Sequence, residues 1–188
     1  MAKIDEGSLR EAALAHLARY SATEAGLRRV LGNRIRRWAR EAERAGQDMD
    51  EVRPKVAAAL EAAARIAARM VQAGAVDDAA FARARARRLR GSGRSGRATL
   101  AHLANKGVAA ETARAALAGE DVPDELHAAL VACRKRRIGP FSLAMPDAPL
   151  PPELRMKWLG TLARAGFSGE TARRALAMPR AEAVERLE

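Results

Sequence analysis

The sequence predicts an all-α protein of three tandem three-helix, helix-turn-helix-like repeats in an elongated, curved array. Three observations lead there. Alanine, the best helix former, is abundant in a chain of 188 residues that is 48% apolar and only 3% aromatic; strands favour the β-branched and aromatic residues that are scarce here. Apolar residues recur at helical spacing between capping residues and glycines. Fifteen residues are also written nearly twice: LANKGVAAETARAAL at 103–117 and LARAGFSGETARRAL at 162–176 agree at nine positions without a gap, with the Gly, Glu and Thr in register.

The elements follow in order. Ser8 with Glu11 three residues on reads as a capping box opening the first helix, with Ala13, Leu14, Leu17 and Tyr20 as its apolar stripe. Ser21 and Glu24 repeat the box before a long basic helix carrying Leu27, Leu31, Ile35 and Trp38, which fades near Gly46. QDMDEVRP is a polar connector, Pro54 suits the first turn of the third helix, and Val56, Leu60, Ala63, Ile66 and Met70 carry that helix to Gly74. Asp77 and Asp78 open the fourth helix, where acidic side chains cap exposed amides and oppose the dipole. Its R-A-R-A-R stretch alternates like a strand, but alanine is a poor strand residue, so helix is expected up to Gly91. Ser95 caps the fifth helix, Gly107 ends it, and the sixth runs from about Ala110 to Leu117.

Pro123 opens the seventh helix, with Leu126, Leu130 and Cys133 on one face and RKRR at its end. IGPFSLAMPDAPLPP is a Pro-rich connector. The eighth helix carries Leu154, Trp158 and Leu162 and stops at Gly166; the ninth runs from Ser168 to about Ala177, before a charged tail from Pro179. The twice-written segment occupies the same corner of groups two and three: the end of a second helix, a glycine expected to be left-handed, an apolar residue (Val108 or Phe167) that packs back, and a short third helix. The expected boundaries are therefore 8–75 for a first repeat with a long second helix, 76–120 for the second, 121–178 for the third and 179–188 for the tail. A unit of about 45 residues buries too little surface to stand alone, so stacked neighbours supply the missing core.

The net charge is +11, from 34 Lys and Arg against 23 Asp and Glu. A GC-rich genome would account for much of the arginine content, because Arg and Ala codons are GC-rich, but not for its clustering. Such a balance points to an acidic partner: nucleic acid, an acidic protein face or a charged surface. Arg83, Arg87 and Arg90, spaced i, i+4, i+7, are expected on one helix face, with Arg94 and Arg97 following, and no acidic residue lies between Ala79 and Ala110. This basic face is the candidate partner-binding site. Arg134, Lys135, Arg136 and Arg137 form a secondary cluster, whose place at a helix C-terminus also suits the dipole.

No catalytic, metal or cofactor site is expected. His16, His102 and His127 are scattered, Asp77 and Asp78 read as caps, and GSGRSG lacks the preceding strand and the Lys-Ser/Thr of a nucleotide loop. Cys133 is the sole cysteine and sits on an apolar stripe, which suits a buried thiol and a reducing compartment. MAKIDEGSLR has no apolar signal core and no apolar run approaches a membrane span, so a cytoplasmic protein is expected; lacking those catalytic motifs it is expected not to be an enzyme, and a monomer is expected. Trp38 and Trp158 lie on apolar stripes, and few aromatics remain for the stacking platforms of single-strand binders.

VDDAAFA at 76–82 resembles the Asp-(Asp/Glu)-x-x-(Phe/Tyr)-Ala signature of the RecX family of regulatory proteins. The Arg-rich helix, the loop GSGRSGRATL, LANKGV and the short third helix follow in the family's order, and LARAGFSGETARRAL resembles its C-terminal unit, so the likeness spans roughly residues 9 to 178. The family loop often reads Gly-x-x-(Arg/Lys)-(Ile/Leu); here it carries extra glycines, and the second helix of the first unit is longer than in the shortest members. The resemblance implies three tandem three-helix repeats. It also implies a modulator, usually an inhibitor, of the RecA recombinase that lies in the groove of its filament on single-stranded DNA and suppresses ATP hydrolysis, strand exchange and co-protease activity, and with them recombination and the SOS response. RecA is thus the expected partner, with weak nonspecific DNA contact beside it. The alternative is a basic DNA-binding protein using its helix-turn-helix-like units. Against it stands the lack of a recognition helix with Asn, Gln and Arg near its start.

Overall fold

The computed structural model describes residues 3–143 and 151–188, so residues 144–150 of the Pro-rich connector lie outside the described residues. The described residues form α-helices, one 3-10 turn and no strand. The helices are α1 (Glu6–Leu17), α2 (Glu24–Arg44), α3 (Met49–Gln72), α4 (Asp78–Gly91), α5 (Gly96–Asn105), α6 (Ala110–Leu117), α7 (Glu125–Arg136), α8 (Pro152–Arg164), α9 (Gly169–Ala177) and α10 (Arg180–Glu185), with the 3-10 turn at Gly139–Phe141. Alternation did not make a strand of R-A-R-A-R, which lies in α4.

Two compact units result: Met1–Phe81 with Lys106–Val108, and Ala82–Asn105 with Ala109–Glu188. In the first, α3 packs along α2 and α1 covers both. Leu9 and Ala13 of α1 meet Leu27, Leu31 and Ile35 of α2, and Ala59, Ala63, Ile66, Ala67 and Met70 of α3. The small alanine side chains of α3 let the helices approach closely. Trp38 and Ala42 continue the seam against Val52. Removing a buried leucine side chain such as Leu31, which has no exposed surface, costs about 2–5 kcal/mol.

Several expectations for this unit are corrected. Asp5, not Ser8, caps α1: its Oδ1 accepts the Ser8 N–H at 2.8 Å. Thr23, not Ser21, caps α2, accepting the Gly26 N–H at 2.9 Å. Pro54 lies inside α3, which starts at Met49 behind the Asp48 cap. Leu14 (49% exposed), Tyr20 (55%) and Leu60 (42%) stand out of the core. For α1 the buried positions are Leu9 and Ala13, i and i+4, and the turn ending the helix carries Tyr20 past them.

In the second unit Leu126, Leu130 and Cys133 of α7, Trp158 and Leu162 of α8, and Ala172 and Ala175 of α9 share one core with Phe141 and Phe167. The repeated corner behaves as its text implies: Gly107 (φ +83°) and Gly166 (φ +93°) are left-handed, and Val108 and Phe167 are buried. Pro123 precedes α7 but Asp124 caps it, accepting the His127 N–H at 2.7 Å. The charged tail forms α10, with Ala183 buried. It is fastened by Arg186, whose Nη2 lies 2.5 Å from Asp124 Oδ2. Partial burial pushes the Asp124 carboxyl up, but the His127 N–H and the Arg186 guanidinium outweigh it and hold the group below its ordinary range.

Candidate partner-binding face

The basic stretch from 83 to 97 divides by the helical period. Ala82, Ala86 and Arg90 of α4 are buried. They are spaced i, i+4, i+8, so the core stripe runs beneath the arginines and captures the last of them. Arg83, Arg87, Arg94 and Arg97 are exposed, as is Arg88, which lies off the i, i+4, i+7 spacing. Arg87 Nη1 makes an exposed ion pair with Asp121 Oδ2 at 2.9 Å. Arg85 turns aside and donates from Nε to His102 Nε2 at 3.0 Å.

Arg90 departs from the expected face. It is 3% exposed. Its Nε donates to the Pro123 carbonyl at 3.0 Å, and its Nη1 donates to the Arg94 carbonyl at 3.0 Å and to Glu125 Oε2 at 2.6 Å. Glu125 Oε2 also accepts the Gly96 N–H at 3.0 Å. A buried charge needs a partner and further hydrogen bonds; this pair has both, and uses them to hold a loop. Arg90 is a positioning residue for 92–97, not a contact surface.

Other contacts fix the same loop. Gly93 is left-handed (φ +83°), and a Cβ there would sit 2.9 Å from the Ala132 backbone nitrogen, so the chain lies directly on α7. Gly91 ends α4, as expected. Ser95 accepts the Ala98 N–H at 3.2 Å, capping α5, and donates to the Ala165 carbonyl at 2.8 Å. The loop and the first turn of α5 thus present Arg94 and Arg97 from a backbone held at Arg94, Ser95 and Gly96.

The secondary cluster is brought to the same place. Arg134, Lys135, Arg136 and Arg137 are all exposed. Lys135 Nζ donates to the Ser92 carbonyl at 2.8 Å, tying the end of α7 to the loop. Arg137 adopts a left-handed cap (φ 54°). Sequence spacing gave no hint of this junction, because Lys135 and Ser92 are 43 residues apart.

The DDAAF segment does more than open α4. Asp77 Oδ1 accepts the Ala80 N–H at 2.8 Å as the expected cap. Asp78 Oδ1 accepts the Glu24 N–H at 2.8 Å, capping α2, 54 residues away. Thr23 adds a bond from its hydroxyl to the Lys106 carbonyl at 2.5 Å. Among the described residues no cluster of His, Cys, Asp or Glu is arranged to hold a metal, and no helix is long and apolar enough to cross a membrane.

This segment and the loop after it are also where a family model matches the chain. The family model for the second three-helix domain of RecX matches residues 77–117. The Regulatory protein RecX of Myxococcus xanthus (strain DK1622) is 37% identical over 176 residues, covering 93% of this chain and 87% of that protein. The chain belongs to the RecX family. The Regulatory protein RecX of Agrobacterium fabrum (strain C58 / ATCC 33970) is 38% identical over 111 residues, 59% of this chain and 56% of that protein. In this RecX-family chain the matched segment contains the Asp78 cap, the buried Arg90 and the whole glycine loop.

Proposed function

We propose that this chain regulates RecA by binding its filament on single-stranded DNA and slowing ATP turnover, with strand exchange and co-protease activity falling as a consequence. The observation that carries the reading is RecX kinship over 93% of the chain, joined to the exposed Arg83, Arg87, Arg94 and Arg97 in a stretch of sequence without acidic residues. Arg83, Arg87, Arg94 and Arg97 are the proposed contacts, with Arg134, Lys135, Arg136 and Arg137 beside them. Exposed arginines meet carboxylates or phosphates bidentately, so acidic side chains of the filament or its DNA backbone would both serve as partners.

The three proposed repeats (8–75, 76–120 and 121–178) give the mechanism its form. Contacts from successive repeats would bridge neighbouring RecA subunits. Bridging opposes any rearrangement that turnover requires, in proportion to the difference in binding between the two states. Co-sedimentation with RecA filaments tests the binding step. The chain is expected to pellet with filaments, and Arg83→Gln/Arg94→Gln/Arg97→Gln to pellet poorly. Equal pelleting by both would remove the basic face from the proposal, and no pelleting by either would remove RecA.

A further inference from the structure

The first unit carries a second basic surface that the proposed function does not use. A groove of about 730 Å³ lies between the end of α1 and the middle of α2, lined by His16, Arg19, Tyr20, Arg34, Arg37 and Arg40 among others, and by no acidic side chain. Arg34, Arg37 and Arg40 recur every third residue, about 4.5 Å apart along the helix axis, and make no ion pair among the described residues. The other wall is aromatic. Tyr20, the only tyrosine in the chain, is 55% exposed. Its backbone N–H donates to the His16 carbonyl at 2.9 Å, its ring lies 5.3 Å from the His16 ring, and the Arg19 guanidinium sits 5.5 Å from its centroid.

We infer that this groove binds a short single-stranded nucleic acid segment, phosphates on Arg34, Arg37 and Arg40 and a base on the Tyr20 ring. A cationic track beside an exposed aromatic face is what a sequence-tolerant single-strand site requires, since every base has a π-face and every linkage a charge. An acidic protein segment would use the arginines but has no use for a half-exposed ring flanked by histidine and guanidinium. More than half of Tyr20 stays exposed in a chain so poor in aromatics, which leaves that part of it for the contact. The inference does not rest on RecA regulation, because the site is complete within the first unit.

Fluorescence anisotropy of a labelled oligothymidylate of about 12 nucleotides tests it with the full-length chain and no recombinase present. Arg34→Gln/Arg37→Gln/Arg40→Gln is expected to bind at least about tenfold more weakly and to flatten the slope of log affinity against log salt by about 2, near 0.7 for each lost phosphate contact. Tyr20→Ala is expected to lose at least about fivefold with the slope unchanged, and Tyr20→Phe to bind like the parent. These positions are exposed or half-buried, and an unchanged thermal melt verifies folding. Wild-type affinity in the triple variant would overturn the site. Full binding by Tyr20→Ala, together with equal competition by polyglutamate, would make it an acidic-protein surface instead and overturn the nucleic acid assignment.

Discussion

The Arg90 guanidinium lies 2.6 Å from the Glu125 carboxylate, with Arg90 almost wholly removed from solvent. The same guanidinium bonds the carbonyls of Pro123 and Arg94, so one side chain joins the end of α4, the glycine loop and the start of α7. Arg90→Ala is expected to lower the unfolding free energy by about 3 kcal/mol, because it leaves a carboxylate and two carbonyls without their donor. Arg83→Ala, on the exposed side of the same helix, is expected within about 0.5 kcal/mol of the parent. Urea denaturation of the two variants checks this; equal midpoints would contradict the clamp.

Gly107 tests the repeated corner. A Cβ there would sit 2.2 Å from the Ala25 Cβ, whereas at Gly74, also left-handed (φ +69°), it would meet nothing within 4 Å. Gly74→Ala is expected to cost about 1 kcal/mol from the backbone alone. Gly107→Ala adds a steric clash and should exceed it by at least about 1 kcal/mol. Thermal melts of both variants, compared side by side, give the difference.

Thr23 carries two bonds, from the Gly26 N–H and to the Lys106 carbonyl. Thr23→Ala is expected to cost about 2 kcal/mol, near the upper range for a lost cap, while Thr23→Ser keeps both bonds and should stay within about 1 kcal/mol. A serine variant as unstable as the alanine variant would show that the methyl group, not the hydroxyl, matters.

Cys133 has no exposed surface, and burial pushes its thiol up to about 12. The unfolded thiol ionises near 9, so the folded chain holds its proton more tightly. Stability from this residue is complete below pH 9 and declines as pH rises from 9 toward 12, with a limiting slope of about 1.4 kcal/mol per pH unit. Denaturation at pH 8 and pH 10 should show that loss in the parent and less of it in Cys133→Ala. A thiol reagent should label the native chain only as fast as the protein opens.

Local features were legible in the sequence. Gly107 and Gly166, the buried residues after them, the Ser95 and Asp77 caps, and the Leu27–Leu31–Ile35–Trp38 stripe depend on neighbours within a turn or two. The misreadings involve distant partners. Arg90 reads as a surface residue by spacing, because its acceptors Pro123 and Glu125 lie 33 and 35 residues on. Asp78 reads as a cap for its own helix, but its acceptor oxygen serves Glu24. Tyr20 fits an apolar stripe only if α1 continues to it, and α1 ends at Leu17. Pro54 reads as a first-turn residue because proline is tolerated there, yet an interior position survives in a helix held by its packing against α2.

The most direct test of RecA regulation is ATP hydrolysis by the cognate RecA on single-stranded DNA, titrated with the chain and with Arg83→Gln/Arg94→Gln/Arg97→Gln, which leaves the Arg90 clamp intact. DNA is kept in large excess over what either protein could sequester. Strong loss of turnover is expected with the parent chain and a clearly weaker effect with the variant. Turnover unchanged at saturating parent chain would contradict RecA regulation.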